Sequence, residues 1–143
     1  MRDYSRHYIN GMWVESEGGT RHLVINPATE QPCTEIMLGS QADVDKAVAA
    51  ARTAFESYAR TSPAERIALL QRIVAEYERR IPDIAEAIST EMGCPIAVAR
   101  TSQAGSGLGH LKAAITALEG FSFEERVGAT RVVREPIGVV ALI

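Results

Sequence analysis

Arg134-Glu135-Pro136-Ile137-Gly138-Val139-Val140-Ala141-Leu142-Ile143 decides how this chain is read. A charged stretch meets a proline, then a glycine, then an unbroken apolar run. Such a run is expected of a strand buried on both faces, the kind found inside a parallel sheet. A strand of that kind needs neighbours on each side, and no later residue supplies them. The expectation is the front part of a larger α/β protein, cut where its central sheet begins, with Val139 to Ile143 as the first strand of that sheet.

Working back from that run, Pro136 ends a strand expected over Ala129 to Glu135, which Gly128 introduces by a turn. Before it, Ile96 to about Glu119 reads as helix, with apolar positions at Val98, Leu108, Leu111, Ile115 and Leu118. Gly105, Gly107 and Gly109 each lower helix propensity by about 1 kcal/mol relative to Ala. Close packing or a kink is therefore expected there. Upstream, Ser62 caps a helix, Pro63 takes its first position and Glu65 closes an S-x-x-E capping box. Ile67, Leu70, Val74, Tyr77 and Ile81 form its apolar stripe. Pro82 is expected to restart the chain as a separate helix with the stripe Ile81, Ile84, Ala85, Ile88 and Met92, stopped by Gly93 and Pro95.

The first helix is expected from Ser40, whose box partner is Asp43, with Val44, Val48, Ala51, Phe55 and Tyr58 on one stripe. Residues 1–39 read as a small β layer. Asn10-Gly11 between apolar flanks signals a hairpin, because both central residues of a type I′ turn need positive φ. His22 to Ile25 reads as a strand ending at Asn26-Pro27, and Thr34 to Leu38 as another, closed by Gly39. No internal repeat, low-complexity segment or long linker interrupts the chain.

A length of 143 residues suits one domain as a prior, and a hydrophobic share of 46% argues against disorder. A net charge of −3 leaves no basic face for nucleic acid. No apolar run approaches the roughly 18 residues of a membrane span. Met1 to His7 has no apolar segment behind it, so no secretory signal is read. Cys33 and Cys94 do not make a disulfide framework, which fits a cytoplasmic setting.

Residue chemistry yields no assembled active site. Gly105-Ser106-Gly107-Leu108-Gly109 has the wrong spacing for a dinucleotide loop, and a helical pattern precedes it where a strand is required. Cys33 and Cys94 have no base or helix N-terminus beside them to activate a thiol. His7, His22 and His110 show no ligand spacing, though His110 is a candidate for facing a cleft. The runs Glu76 to Arg80 and Glu124 to Arg126 read as solvated faces. Glu91, in the last turn of its helix, opposes the helix dipole and asks for a basic or cationic partner.

Six stretches, in order and spacing, resemble the N-terminal segment of the NAD(P)-dependent aldehyde dehydrogenase superfamily. They are Tyr8-Ile9-Asn10-Gly11-Met12-Trp13-Val14, Ile25-Asn26-Pro27-Ala28-Thr29, the helix from Asp43 to Arg52, Ser62-Pro63-Ala64-Glu65-Arg66, Glu91-Met92-Gly93-Cys94-Pro95, and Arg134 to Val140. The resemblance implies an α/β fold and four parts: an N-terminal β layer (1–39), a helical segment (40–127), an oligomerisation strand (128–136) and the start of a Rossmann-like cofactor domain (137–143). It implies an oxidoreductase that converts aldehydes to carboxylic acids with NAD or NADP. The intact protein is then a homo-oligomer, a dimer or a tetramer, that binds neither nucleic acid nor membrane.

The family's catalytic cysteine matches neither Cys33 nor Cys94, so no catalytic or cofactor-binding residue carries over, and the chain by itself is expected to be inactive. Three lesser roles do carry over. Glu91, with the backbone carbonyl of Ile25, matches a monovalent cation site. The helix around Ser106 and His110 matches the wall of the substrate entrance. Thr130 to Glu135 matches the oligomerisation ribbon. Two rival readings are a non-catalytic assembly module and a truncated, non-functional reading frame.

Overall fold

The computed structural model describes residues 4–142. Met1 to Asp3, and Ile143 at the end of the expected terminal strand, lie outside them.

The β layer is two hairpins. Strands β1 (Arg6–Ile9) and β2 (Met12–Glu15) pair antiparallel, with Tyr8 opposite Trp13. Asn10 at φ 52° and Gly11 at φ 80° supply the two positive dihedrals of a type I′ turn, as their sequence requires. Strands β3 (Thr20–Asn26) and β4 (Gln31–Leu38) form the second hairpin. Its loop is closed by Asn26, whose Oδ1 accepts from the Ala28 N–H at 2.9 Å and whose carbonyl accepts from the Glu30 N–H at 2.8 Å. Tyr4 bridges to Ile36, and its carbonyl accepts from the Met37 N–H at 3.2 Å.

Both expected capping boxes are present. Helix α1 (Gln41–Tyr58) begins at Ser40 with Asp43 reaching back to the cap. Helix α2 (Pro63–Met92) begins at Ser62 with Glu65 doing the same. Pro82 corrects the sequence reading: α2 runs 30 residues straight through it. Proline removes one backbone donor and crowds the preceding turn. Both Pro82 and Glu78, whose carbonyl loses that donor, are exposed, so water can serve the orphaned carbonyl. The packed Ile81, Ile84 and Ile88 stripe keeps the helix whole.

After Gly93 (φ 74°) the chain re-enters helix as α3 (Ile96–Val98), passes through a π turn at Ala99–Gln103, and continues as α4 (Ala104–Glu119). The irregularity thus precedes the three glycines, which lie in regular helix. Ala85, Ala99 and Ala104 are fully buried where these helices meet, flanked by Ile81, Ile84, Ile88 and Cys94. No larger side chain is fully buried among the described residues.

Strands β5 (Glu124–Val127) and β6 (Thr130–Val133) form a third hairpin. Two expectations change here. Residues 40–127 are not helical throughout, because Glu124–Val127 is a strand. Its partner is also shorter than Ala129 to Glu135. The loop Gly128-Ala129, with Gly128 at φ 63°, is the glycine-first signature of a type II′ hairpin. Over Val139 to Leu142, where a strand is expected, the described residues form none. A strand is defined by ladder hydrogen bonds, and no neighbouring strand offers them there.

The accessible surface is 10646 Å². A compact monomer of this mass exposes about 7,200 Å² by the usual size scaling. Large apolar residues contribute to it, with Ile137 94% and Leu142 96% exposed.

Candidate functional site

The C-terminal end of α2 meets the β3–β4 hairpin. Gly93 closes the helix with its N–H on the Ser89 carbonyl at 3.1 Å. A Cβ on Gly93 would stand 2.7 Å from Pro27 Cγ, so only glycine permits this approach. Glu91 lies two residues before that contact, and Ile25 lies two residues before Pro27. Ile25 sits beside a β-bulge, opposite Pro32, which has no N–H to offer the Ile25 carbonyl. Glu91 also lines a cleft of about 230 Å³ with Tyr4, Cys33, Thr34, Asp83 and Glu86.

Glu91 and Ile25, the two residues of the expected cation site, thus flank the Gly93–Pro27 contact in sequence. The donors there are a carboxylate and backbone carbonyls at a helix C-terminus, whose negative dipole favours a cation. Oxygen donors of this kind suit a hard ion. No group of three His, Cys, Asp or Glu side chains able to hold a metal occurs among the described residues.

Ser106 and His110 are both exposed on α4, four residues apart and therefore on one face. Ala113 and Ala117 continue that face and are exposed too. The opposite stripe, Leu108, Leu111, Ile115 and Leu118, is half-buried. Two contacts fasten α4 to α2. The Tyr77 hydroxyl donates to the Ala104 carbonyl at 2.9 Å, and Lys112 pairs with Glu78 at 2.8 Å. Sequence periodicity marked Tyr77 only as a core position. Its partner was signalled by Gly107, where a Cβ would overlap the Tyr77 hydroxyl oxygen.

Every residue of the β5–β6 hairpin is exposed. Its base is braced by Arg134, which donates to Glu125 at 2.8 Å and to the Ser122 carbonyl at 3.2 Å. Beside it lies a groove of about 730 Å³ between the α1–α2 corner and Phe121, Phe123 and Arg134.

The remaining candidates do not form a reaction centre. The Cys33 thiol donates to the Val24 carbonyl at 3.3 Å, and the Cys94 thiol faces the Pro95 carbonyl at 3.7 Å. Gly105 to Gly109 lie within α4, preceded by helix, so they form no phosphate loop after a strand. That stretch therefore does not fit the phosphates of a nicotinamide dinucleotide. Asp43 is the buried charge that sequence reading took only as a cap. It is 5% exposed and accepts from the Ser16 hydroxyl at 2.5 Å, the Ser40 N–H at 2.8 Å and the Glu17 N–H at 3.0 Å. The Ser16 hydroxyl foremost, then those N–H groups, hold its carboxyl well below the usual range. Saturated by these donors, it serves the fold.

Comparison with known proteins adds to this geometry. The model of the aldehyde dehydrogenase family matches residues 13–143. A Staphylococcus aureus relative classed with the aldehyde dehydrogenases is 49% identical over the whole chain, which covers 30% of that relative. The 3-succinoylsemialdehyde-pyridine dehydrogenase of a Pseudomonas species is 47% identical over the whole chain, again 30% of its length. The crystal structure of a mutant aldehyde dehydrogenase C from Pseudomonas syringae, in complex with NAD+ and octanal, superposes with a TM-score of 0.91 at 39% identity. That superposition takes in 94% of this chain and 28% of the other. The chain spans about 30% of the length of the curated relatives it matches.

Proposed function

We propose a function from one premise: the chain belongs to the aldehyde dehydrogenase family. It is the N-terminal portion of an enzyme that oxidises aldehydes to carboxylic acids with NAD or NADP. The carrying observation is the match over residues 13–143, at about 30% of the relatives' length. The excess of exposed apolar surface supports the same reading, because it suits a piece that packs against further chain.

Within that enzyme each part has a role. The two N-terminal hairpins and the helices α1 to α4 form the non-catalytic front. The β5–β6 hairpin, with residues 128–136, is the oligomerisation element of a dimer or tetramer. Residues 137–143 enter the cofactor domain. Ser106 and His110 stand on the wall of the aldehyde entrance, where the small residues along α4 leave room. Glu91 and the Ile25 carbonyl hold a monovalent cation, which would fasten α2 to the β layer. The setting is cytoplasmic, in keeping with the free thiols Cys33 and Cys94.

The Cys33 and Cys94 thiols meet backbone carbonyls, and the 143-residue chain alone does not turn over aldehydes. The test is NAD(P) reduction with a panel of aldehydes, run on this chain and on the complete polypeptide that carries it. Turnover by the complete polypeptide only is the expected result. Robust turnover by the segment overturns the reading. The rival reading, a stand-alone assembly module, draws on the exposed hairpin, whose strand edges are free to pair. It predicts co-purification of the segment with a full-length relative.

A further inference from the structure

Ala99 and Ala104 are both fully buried although they lie five residues apart. In a regular α-helix residues five apart stand about 140° apart around the axis, so one of the two would turn away. The π turn resolves the conflict. The Ala104 N–H donates to the Ala99 carbonyl, the five-residue bond of a π-helix. Both alanines then face α2 at Ala85.

The same turn sets the rotation of everything after it. A second feature locks that rotation. The Tyr77 hydroxyl caps the Ala104 carbonyl at 2.9 Å, and Gly107 lies against it so closely that a methyl group would not fit. One turn later Lys112 reaches Glu78, the neighbour of Tyr77. With this face of α4 pinned to α2, Ser106 and His110 are left on the outer face.

We propose that the π turn, Tyr77 and Gly107 form a positioning device that sets the rotation of α4 and so selects which of its residues border the aldehyde entrance. This inference rests on the proposed role of α4 as an entrance wall. Tyr77 and Gly107 do not touch substrate; they act through α4. Their effect is on which aldehydes enter, while the chemical step is left alone.

The test uses the complete polypeptide carrying this segment, with a short aliphatic and a bulky aromatic aldehyde. Tyr77→Phe keeps the ring and removes the hydroxyl. It should raise KM for the bulky aldehyde by about three- to tenfold, the range expected from one lost hydrogen bond, with kcat for the short aldehyde unchanged. Gly107→Ala should move the same ratio in the same direction. Ser40→Ala weakens the cap of α1 and supplies a destabilised control that should leave the ratio unmoved. Equal KM changes for both aldehydes, or a Tyr77→Phe variant indistinguishable from the parent, overturns the inference while leaving the enzyme's function intact. A parent polypeptide that oxidises neither aldehyde removes the proposed function, and this inference with it.

Discussion

The Ser16 hydroxyl donates to the Asp43 carboxylate at 2.5 Å and ties the turn between β2 and β3 to the first turn of α1. Asp43 is ionised far below its ordinary range, chiefly because of that hydroxyl and then because of the Ser40 and Glu17 N–H groups. A carboxylate depressed in the folded state contributes stability above its unfolded pKa, near pH 4, and loses it as the pH falls toward the folded value. Asp43→Asn should therefore lower stability at neutral pH and flatten the decline below about pH 4. Glu76 is also depressed, to about 2, by Arg79 and then Arg80. Those partners are more than half exposed, so salt screens the pair and Glu76→Gln should alter the acid limb little. Denaturation followed from pH 2 to 7 checks both. An Asp43→Asn profile parallel to the parent's would sink the first claim.

Gly93 and Gly11 both hold positive φ, at 74° and 80°, in different surroundings. A Cβ at Gly11 meets open space, whereas at Gly93 it meets Pro27 Cγ at 2.7 Å. Gly11→Ala should cost about 1 kcal/mol from the dihedral alone. Gly93→Ala should cost clearly more, about 2–3 kcal/mol, because strain and overlap add. Urea midpoints of the two variants measure the difference, and equal midpoints would show that Pro27 yields freely.

Ser62 accepts from the Glu65 N–H at 3.2 Å, and the Glu65 carboxylate accepts from the Ser62 N–H at 2.7 Å. Ser62→Ala should destabilise α2 by about 1 kcal/mol. Ser106→Ala, on the exposed face of α4, should stay within about 0.5 kcal/mol. Thermal unfolding of both variants tests the contrast, and a costly Ser106→Ala would mean that this serine has a structural task.

Ile137 and Leu142 stand almost fully exposed, at 94% and 96%. The isolated 143-residue chain should self-associate through such surface. Replacing both residues with Lys should shift sedimentation toward the monomer without loss of helical signal. A parent chain that sediments as a compact monomer contradicts this.

The cation proposal makes a separate prediction for the complete polypeptide. Melting in potassium chloride should exceed melting in tetramethylammonium chloride at equal ionic strength, through mass action on the folded state. Glu91→Gln should abolish that difference. Identical curves for the parent in both salts would remove the site.

Particular residues show how far the chain could be read beforehand. The Asn10-Gly11 hairpin, both serine caps, the helical stretch after Ile96 and the close packing at Gly107 all follow from signals a few residues long. Pro82 misled the reading because its cost is local, while the isoleucine stripe that keeps α2 whole is a sum over many contacts. Glu124–Val127 was missed because charged residues dominate it, although Gly128-Ala129 carried the hairpin signal. Of the candidate site, Glu91, Ile25, Ser106 and His110 could be named from resemblance, but Tyr77 could not be tied to Ala104 across 27 positions.

By itself the sequence determined the caps, the positive-φ turns and the family, because each depends on side chains close along the chain or on their order. Tertiary structure alone decided the continuity of α2, the rotation of α4 after its π turn, and the fate of Val139 to Leu142. Each of these depends on what another element presents. Packing carries α2 through its proline, Ala85 and Tyr77 set how α4 turns, and an apolar run becomes a strand only where a neighbouring strand offers hydrogen bonds.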